Sequence, residues 1–276
     1  MAYEKLTGIA LDYERCCYPN SKLMFRGPKR QLDGGYVAFL GGTETFGKFI
    51  EHPFADLVET AIGTRCVNFG WPNAGVDVFL NDEGVLQAAQ NARSVVLQLP
   101  CAQNMSNRFY TVHPRRNDRF VEPLPLMREV FPAVDFSEFN FTRHLLSHLQ
   151  RRAPDSFAML RRELQTIWVA RMRLLLRKLD RDVVLLWFSR RGPGQSTECL
   201  DIAMDPALVT RRMVNAINGP GAQLVEVCAS SAAQAAGTAG MVYSSVEESA
   251  ASELLGPIAH SEAAAALFPV LEEKLR

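Results

Sequence analysis

Long apolar runs are missing from this chain of 276 residues; none approaches the roughly 20 that a membrane-spanning helix needs. The opening Met1-Ala2-Tyr3-Glu4-Lys5 lacks the basic-then-apolar order of a secretory signal. A soluble, cytoplasmic protein that meets no membrane is the expectation. Lysine is scarce, with 6 Lys against 24 Arg. The six cysteines (16, 17, 66, 101, 199 and 228) form no C-x-x-C pair, so reduced thiols are expected. Histidine is sparse and scattered, at 52, 113, 144, 148 and 260. Only His144 and His148 have the i,i+4 spacing of a helical ligand pair. His144-Leu-Leu-Ser-His148 lacks the glutamate of H-E-x-x-H, so these two are read as facing a helix interface or solvent. No metal is expected. Neither G-x-x-x-x-G-K-[ST] nor G-x-G-x-x-G occurs, and no cofactor is expected.

Net charge is absent as well, with 30 basic and 30 acidic residues. That balance disfavours nucleic acid as a partner. The balance is global rather than local. Residues 101–191 hold 16 Arg and one Lys against nine acids, a net of +8, and the remainder carries −8. Arginine's planar fork grips carboxylate, phosphate or sulfate through two hydrogen bonds, so the central region is a candidate for meeting an anionic ligand.

What is present is an alternation of short apolar strands with amphipathic helices. Strands are expected at 36–40, 66–69, 94–99, 182–188 and 223–228. Helices are expected at 53–62, 82–92, 154–179, 206–217 and 260–275, with a further short one after the first strand. Fully apolar strands imply a mainly parallel sheet covered on both faces. The expected fold is a three-layer α/β/α unit with a five-stranded, flavodoxin-like sheet. Residues 1–35 read as an irregular arm, and 101–153 as a helical, Arg-rich and aromatic insertion. No repeat or linker divides the chain, so 1–276 is taken as one domain.

In such a sheet, ligands sit beyond the carboxyl ends of the strands. Three loops leave that edge: 41–47, 70–77 and 100–119. The first, Gly41-Gly42-Thr43-Glu44-Thr45-Phe46-Gly47, offers a hydroxyl at a helix start. The others bring side-chain amides, Asn68 and Asn73, then Gln103 and Asn104, which are suited to an oxyanion.

Strand–G-G-T-x-T-x-G, then N-F-G-x-x-N-A-G, then V-V-L-Q-x-x-x-A-Q-N resembles the first three blocks of the SGNH (GDSL-type) esterases and acyltransferases. The resemblance covers roughly residues 36–105 and 220–276. It implies a flavodoxin-like fold, a nucleophile at Thr43, and oxyanion donors from Gly42 or Asn73 with Gln103 or Asn104. It also implies a base at His260, ahead of the last helix, with Gly70 and Thr45 as further ligand contacts. The chain departs from that pattern in three ways. Thr43 stands for Ser, Gly42 for Asp, and Pro257-Ile-Ala-His260 for D-x-x-H. On a second register His260 is structural. L-M-F-R-G-P, F-L-G-G-T-E-T and N-R-F-Y-T-V-H-P-R-R-N-D-R-F also resemble a bacterial family with no activity assigned to it.

The segment 107–120 carries Arg108, Tyr110, His113, Arg115, Arg116 and Arg119. These residues could clamp an anionic group, with His113 as an alternative acid/base. The competing expectation is a loop pinned by Arg–Asp and Arg–carbonyl bonds, with a homodimer interface as one setting for it. Three functions follow. The first is an esterase or acyltransferase on an anionic or carbohydrate-like small molecule. The second is a non-catalytic binder of phosphate, sulfate or carboxylate. The third is a partner-binding protein.

Overall fold

The computed structural model describes residues 11–195, 202 and 204–276. Met1–Lys5 and Cys199 lie outside the described residues. Five parallel strands form the central sheet: β1 (Val37–Gly41), β2 (Cys66–Gly70), β3 (Ser94–Gln98), β6 (Val183–Ser189) and β7 (Ala222–Cys228), in the order β2-β1-β3-β6-β7. An antiparallel hairpin, β4 (Tyr110–Val112) with β5 (Phe120–Pro123), lies between β3 and β6 in sequence.

Every residue of β1, β2, β3 and β6 is buried, which is why these segments read as mainly apolar runs. At the edge, β7 alternates: Val225 and Val227 are buried while Gln223, Glu226 and Cys228 are exposed. One sheet face is covered by α3 (Val76–Leu80), α4 (Glu83–Asn91), α7 (Pro154–Leu179) and α8 (Arg211–Ile217). The other is covered by α2 (Phe54–Ile62), α9 (Ser231–Ala236) and α11 (Pro257–Leu275). The fold is therefore three-layer α/β/α.

Helix α7 runs over 154–179 as its periodicity predicts. It buries Phe157, Leu160, Leu164, Trp168, Met172, Leu175 and Leu179 against the sheet. Two helix starts differ from expectation. Helix α8 begins at Arg211 rather than 206, because Leu208 takes a left-handed backbone (φ 65°) that interrupts a helix. Helix α11 begins at Pro257 rather than 260, with proline at a first-turn position where its missing N–H costs nothing.

The insertion is more structured than a loop. It holds the β4–β5 hairpin, α5 (Pro125–Val130) and α6 (Thr142–Arg152). The described part of the N-terminal arm, 11–35, is irregular but tightly held. Buried Arg26 donates to the carbonyls of Gly47, Ile50 and Glu51, each at 2.7 Å. It thereby fixes the segment that follows α1 (Thr43–Phe46).

Among the described residues, no single helix is long and apolar enough to cross a membrane.

Candidate functional site

The strand order places a switch point between β1 and β3: the chain leaves β1 toward β2 on one side and leaves β3 toward β6 on the other. Loops diverge there and leave a crevice. A cavity of about 890 Å³ fills it, lined by the loops after β1, β2, β3 and β6, by α6, and by residues 250–255.

The β1 loop is shaped from beneath by Gln98, the last residue of β3. Its Oε1 accepts from Gly42 N (3.1 Å), Thr45 N (3.1 Å) and Thr45 Oγ1 (2.5 Å). Asn68 holds the far side, donating to Thr45 O at 2.7 Å and accepting from Gly70 N at 2.8 Å. Gly70 is needed for fit: a Cβ there would lie 2.2 Å from Phe46 N. Gly75 is similar, since a Cβ would lie 1.6 Å from Asn104 O. The two glycines let the β1 and β3 loops lie against the segment after β2.

Thr43 is thereby presented to the cavity at the start of α1. Its Oγ1 accepts from Asn73 N (3.0 Å) and its hydroxyl donates to Asn73 Oδ1 (3.2 Å). Asn73 sits in the left-handed region, φ 57°, where asparagine is tolerated. Asn104 Nδ2 donates to Asn73 O (3.0 Å), and Thr142 Oγ1 donates to Asn104 Oδ1 (2.7 Å). The result is one continuous chain, Thr43–Asn73–Asn104–Thr142, across four separate segments. Gln103 lines the same cavity at 2% exposure, and its buried Oε1 has no hydrogen-bond partner.

Of the residues proposed from the sequence for catalysis or ligand binding, Gly42, Thr43, Asn73, Gln103 and Asn104 converge on the cavity. The others proposed for those roles do not line it. Thr45 is buried with its hydroxyl on Gln98, and Gly70 packs under α1. Tyr110 is buried, its hydroxyl donating to Gln103 O at 2.7 Å, so it supports the β3 loop from behind. Burial pushes its phenol strongly upward, keeping it neutral.

The Arg-rich loop behaves mainly as a pinned segment. Asn117, fully buried, accepts from Gly75 N and Val78 N (3.2 Å each) and so caps α3. Arg115 O accepts from Trp71 Nε1 at 2.6 Å. His113 Nδ1 accepts from the N–H of Arg115 (3.3 Å) and of Arg116 (3.1 Å). Arg108 pairs with Glu163, Arg116 lies 3.7 Å from Asp118, and the Arg119 guanidinium sits 5.6 Å from the Phe141 ring centre.

The cations that do line the cavity are Arg143, Arg151 and Arg190, all within the 101–191 region of positive charge. Arg143 bonds Asp205 (2.9 Å) and Glu253 (3.4 Å), and Asp205 pushes its guanidinium further up. Arg190 donates to the carbonyls of Ser252 (2.9 Å) and Leu254 (2.7 Å). Four acids, Glu44, Asp118, Asp205 and Glu253, share the lining.

His260 is fully buried between Phe54 and Phe188. Its Nδ1 accepts from Phe54 N (3.1 Å), and its buried Nε2, 3.5 Å from Glu44 Oε2, has no hydrogen-bond partner. The Phe54 bond is a structural tie between α2 and α11. Of the five histidines, only His144 lines the cavity. The sequence singled out its helical spacing but not this position, because its neighbours across the cavity are far away in the chain. Among the described residues, no group of His, Cys, Asp and Glu is placed to hold a metal ion.

A goat rumen metagenome lipase, Lip_vut3, aligns at 10% identity with a TM-score of 0.46, covering 85% of this chain and 96% of that one. A carbohydrate esterase family 2 enzyme with a carbohydrate binding domain, from Corynascus thermopiles (Myceliophthora fergusii), aligns at 10% identity with a TM-score of 0.41, covering 90% and 69%. A search of curated proteins returns no match. The chain belongs to the family described as Domain of unknown function (DUF6473), which matches residues 1–275.

Proposed function

We propose that this protein is an SGNH-like esterase or acyltransferase acting on a small molecule that is anionic or carbohydrate-like, with Thr43 as the acyl-accepting hydroxyl. One observation carries the reading. Thr43, Asn73, Gln103 and Asn104, from three loops, meet in a single cavity at the switch point. Acyl transfer needs a hydroxyl at the carbonyl carbon and donors at the oxygen that becomes negative. Gln103 bears on binding in a different way: its buried Oε1 has no hydrogen-bond partner, at a cost of about 1–3 kcal/mol, and as an acceptor it suits an N–H or O–H of a ligand rather than the oxyanion. Arg151 adds a cation at the cavity for an anionic portion of the substrate.

The test is covalent. A fluorophosphonate probe is expected to label Thr43, read by peptide mass mapping, and Thr43→Val is expected to abolish labelling. No adduct at Thr43, together with no turnover of short-chain aryl esters, overturns the reading.

A second reading is a non-catalytic binder, and one observation favours it. Thr43 spends its hydroxyl on Asn73 and, among the described residues, hydrogen-bonds no imidazole or carboxylate. On that reading a thermal-shift screen finds stabilising anions while Thr43→Val leaves the shift intact.

A further inference from the structure

The resemblance puts the base ahead of the last helix, yet in this chain that imidazole is locked in the core. We propose that the acid/base group of the cavity is instead His144, carried by α6 of the insertion; this rests on the acyl-transfer reading above. Four observations lead there. His144 lines the cavity that Thr43 lines, and the other histidines do not. Its ring packs edge-on against Phe139 at 4.9 Å, and among the described residues neither ring nitrogen has a hydrogen-bond partner. The first residue of α6, Thr142, is tied to Asn104 at 2.7 Å, and Asn104 is tied through Asn73 to Thr43. The start of α6 is thus anchored to the hydroxyl's own network, with His144 two residues further on. Arg143 anchors the same turn from the other side, to Asp205 and Glu253.

In the step this implies, an imidazole nitrogen of His144 takes the Thr43 hydroxyl proton as Oγ1 bonds to the acyl carbon. The proton then passes to the departing alkoxide as the ester C–O bond breaks, leaving the acyl group on Thr43 and the imidazole neutral. Water or an acceptor alcohol reverses the sequence. The hydroxyl first gives up its bond to Asn73 Oδ1, while Asn73 N–H remains on Oγ1.

The experiment compares the rate of fluorophosphonate labelling at Thr43 in the full-length protein and in His144→Ala, His148→Gln and His260→Gln. His148 packs on the same Phe139 ring (5.1 Å) outside the cavity and serves as the control. A drop of about 100-fold in His144→Ala is expected, in the range typical of general-base loss. Restoration by added imidazole, with His148→Gln unchanged, supports the proposal. Circular dichroism shows whether His144→Ala is folded; if it is not, His144→Gln takes its place. Equal labelling of Thr43 in the parent and in the folded His144 variant overturns His144 and leaves the acyl-transfer reading standing. A rate that falls in His260→Gln but not at His144 returns the role to the C-terminal imidazole. No labelling of Thr43 in the parent, together with no turnover of short-chain aryl esters, overturns both.

Discussion

Thr43 and Asn73 hold each other by two hydrogen bonds, one from the Asn73 backbone and one to its side chain, 30 residues apart in sequence. The pair fixes the only hydroxyl of the β1 loop that faces the cavity, since Thr45 points down onto Gln98. It also sets what a substitution there does.

Asn73→Gly keeps the left-handed backbone and the N–H bond but removes the side-chain acceptor. Asn73→Ala removes the acceptor and places a Cβ in a conformation that disfavours it by about 1–2 kcal/mol. The glycine variant is expected to unfold at the higher temperature of the two by calorimetry. Equal melting temperatures would show that the strain at Asn73 is relieved elsewhere.

Gln98→Leu strands three donors, the part-buried Gly42 N and the buried Thr45 N and Thr45 Oγ1. At 1–3 kcal/mol for each unsatisfied group, about 3 kcal/mol or more is lost. Gln98→Glu keeps an acceptor oxygen and is expected to recover part of it. Urea midpoints measure both; a leucine variant within about 0.5 kcal/mol of the parent would mean that water reaches the three donors.

The Cys101 thiol lines the cavity but is buried, and desolvation pushes it up to about 12. At pH 8 its thiolate fraction is then on the order of one in ten thousand. Cys66 shifts in the same direction, again through burial. Iodoacetamide at pH 8 is expected to modify exposed Cys17 and to leave Cys66 and Cys101 untouched until the protein is denatured. Early alkylation of Cys101 in peptide maps would contradict this.

Asp77 sits at the start of α3, where Arg171 and Ser106 N–H bind its carboxylate. Burial outweighs both and raises its carboxyl above the ordinary value. A raised folded value means that the folded state holds the proton more tightly. Stability from this group is therefore full below the ordinary carboxylate range and is lost as pH rises through the raised value. Parent and Asp77→Asn stabilities, measured in urea from pH 4 to 7, are expected to diverge, with the parent losing ground as pH rises. Parallel curves would remove Asp77 as the cause.

The sheet was legible because the strands β1, β2, β3 and β6 are apolar at nearly every position, a pattern that only two covered faces produce. Helix α7 was legible from its spacing, and Thr43, Asn73, Gln103 and Asn104 from their places at strand ends. His144 was not. Thr142–Arg152 has only a narrow apolar stripe of Leu145, Leu146 and Leu149, and nothing local says which way its polar face looks. The Arg-rich segment misled in a similar way. Its charges suggest a clamp, while its anchoring is done by Asn117 and by backbone carbonyls, whose partners are 39 to 44 residues away.

The bond from Thr142 to Asn104 joins two parts of the segment between β3 and β6: the loop that leaves β3, which holds Asn104, and helix α6. Changes along the polar face of α6, at Ser147 or Arg151, reshape one wall of the cavity without disturbing the loop that holds Thr43. Such a layout separates the wall of the cavity that α6 forms from the loop that positions the Thr43 hydroxyl.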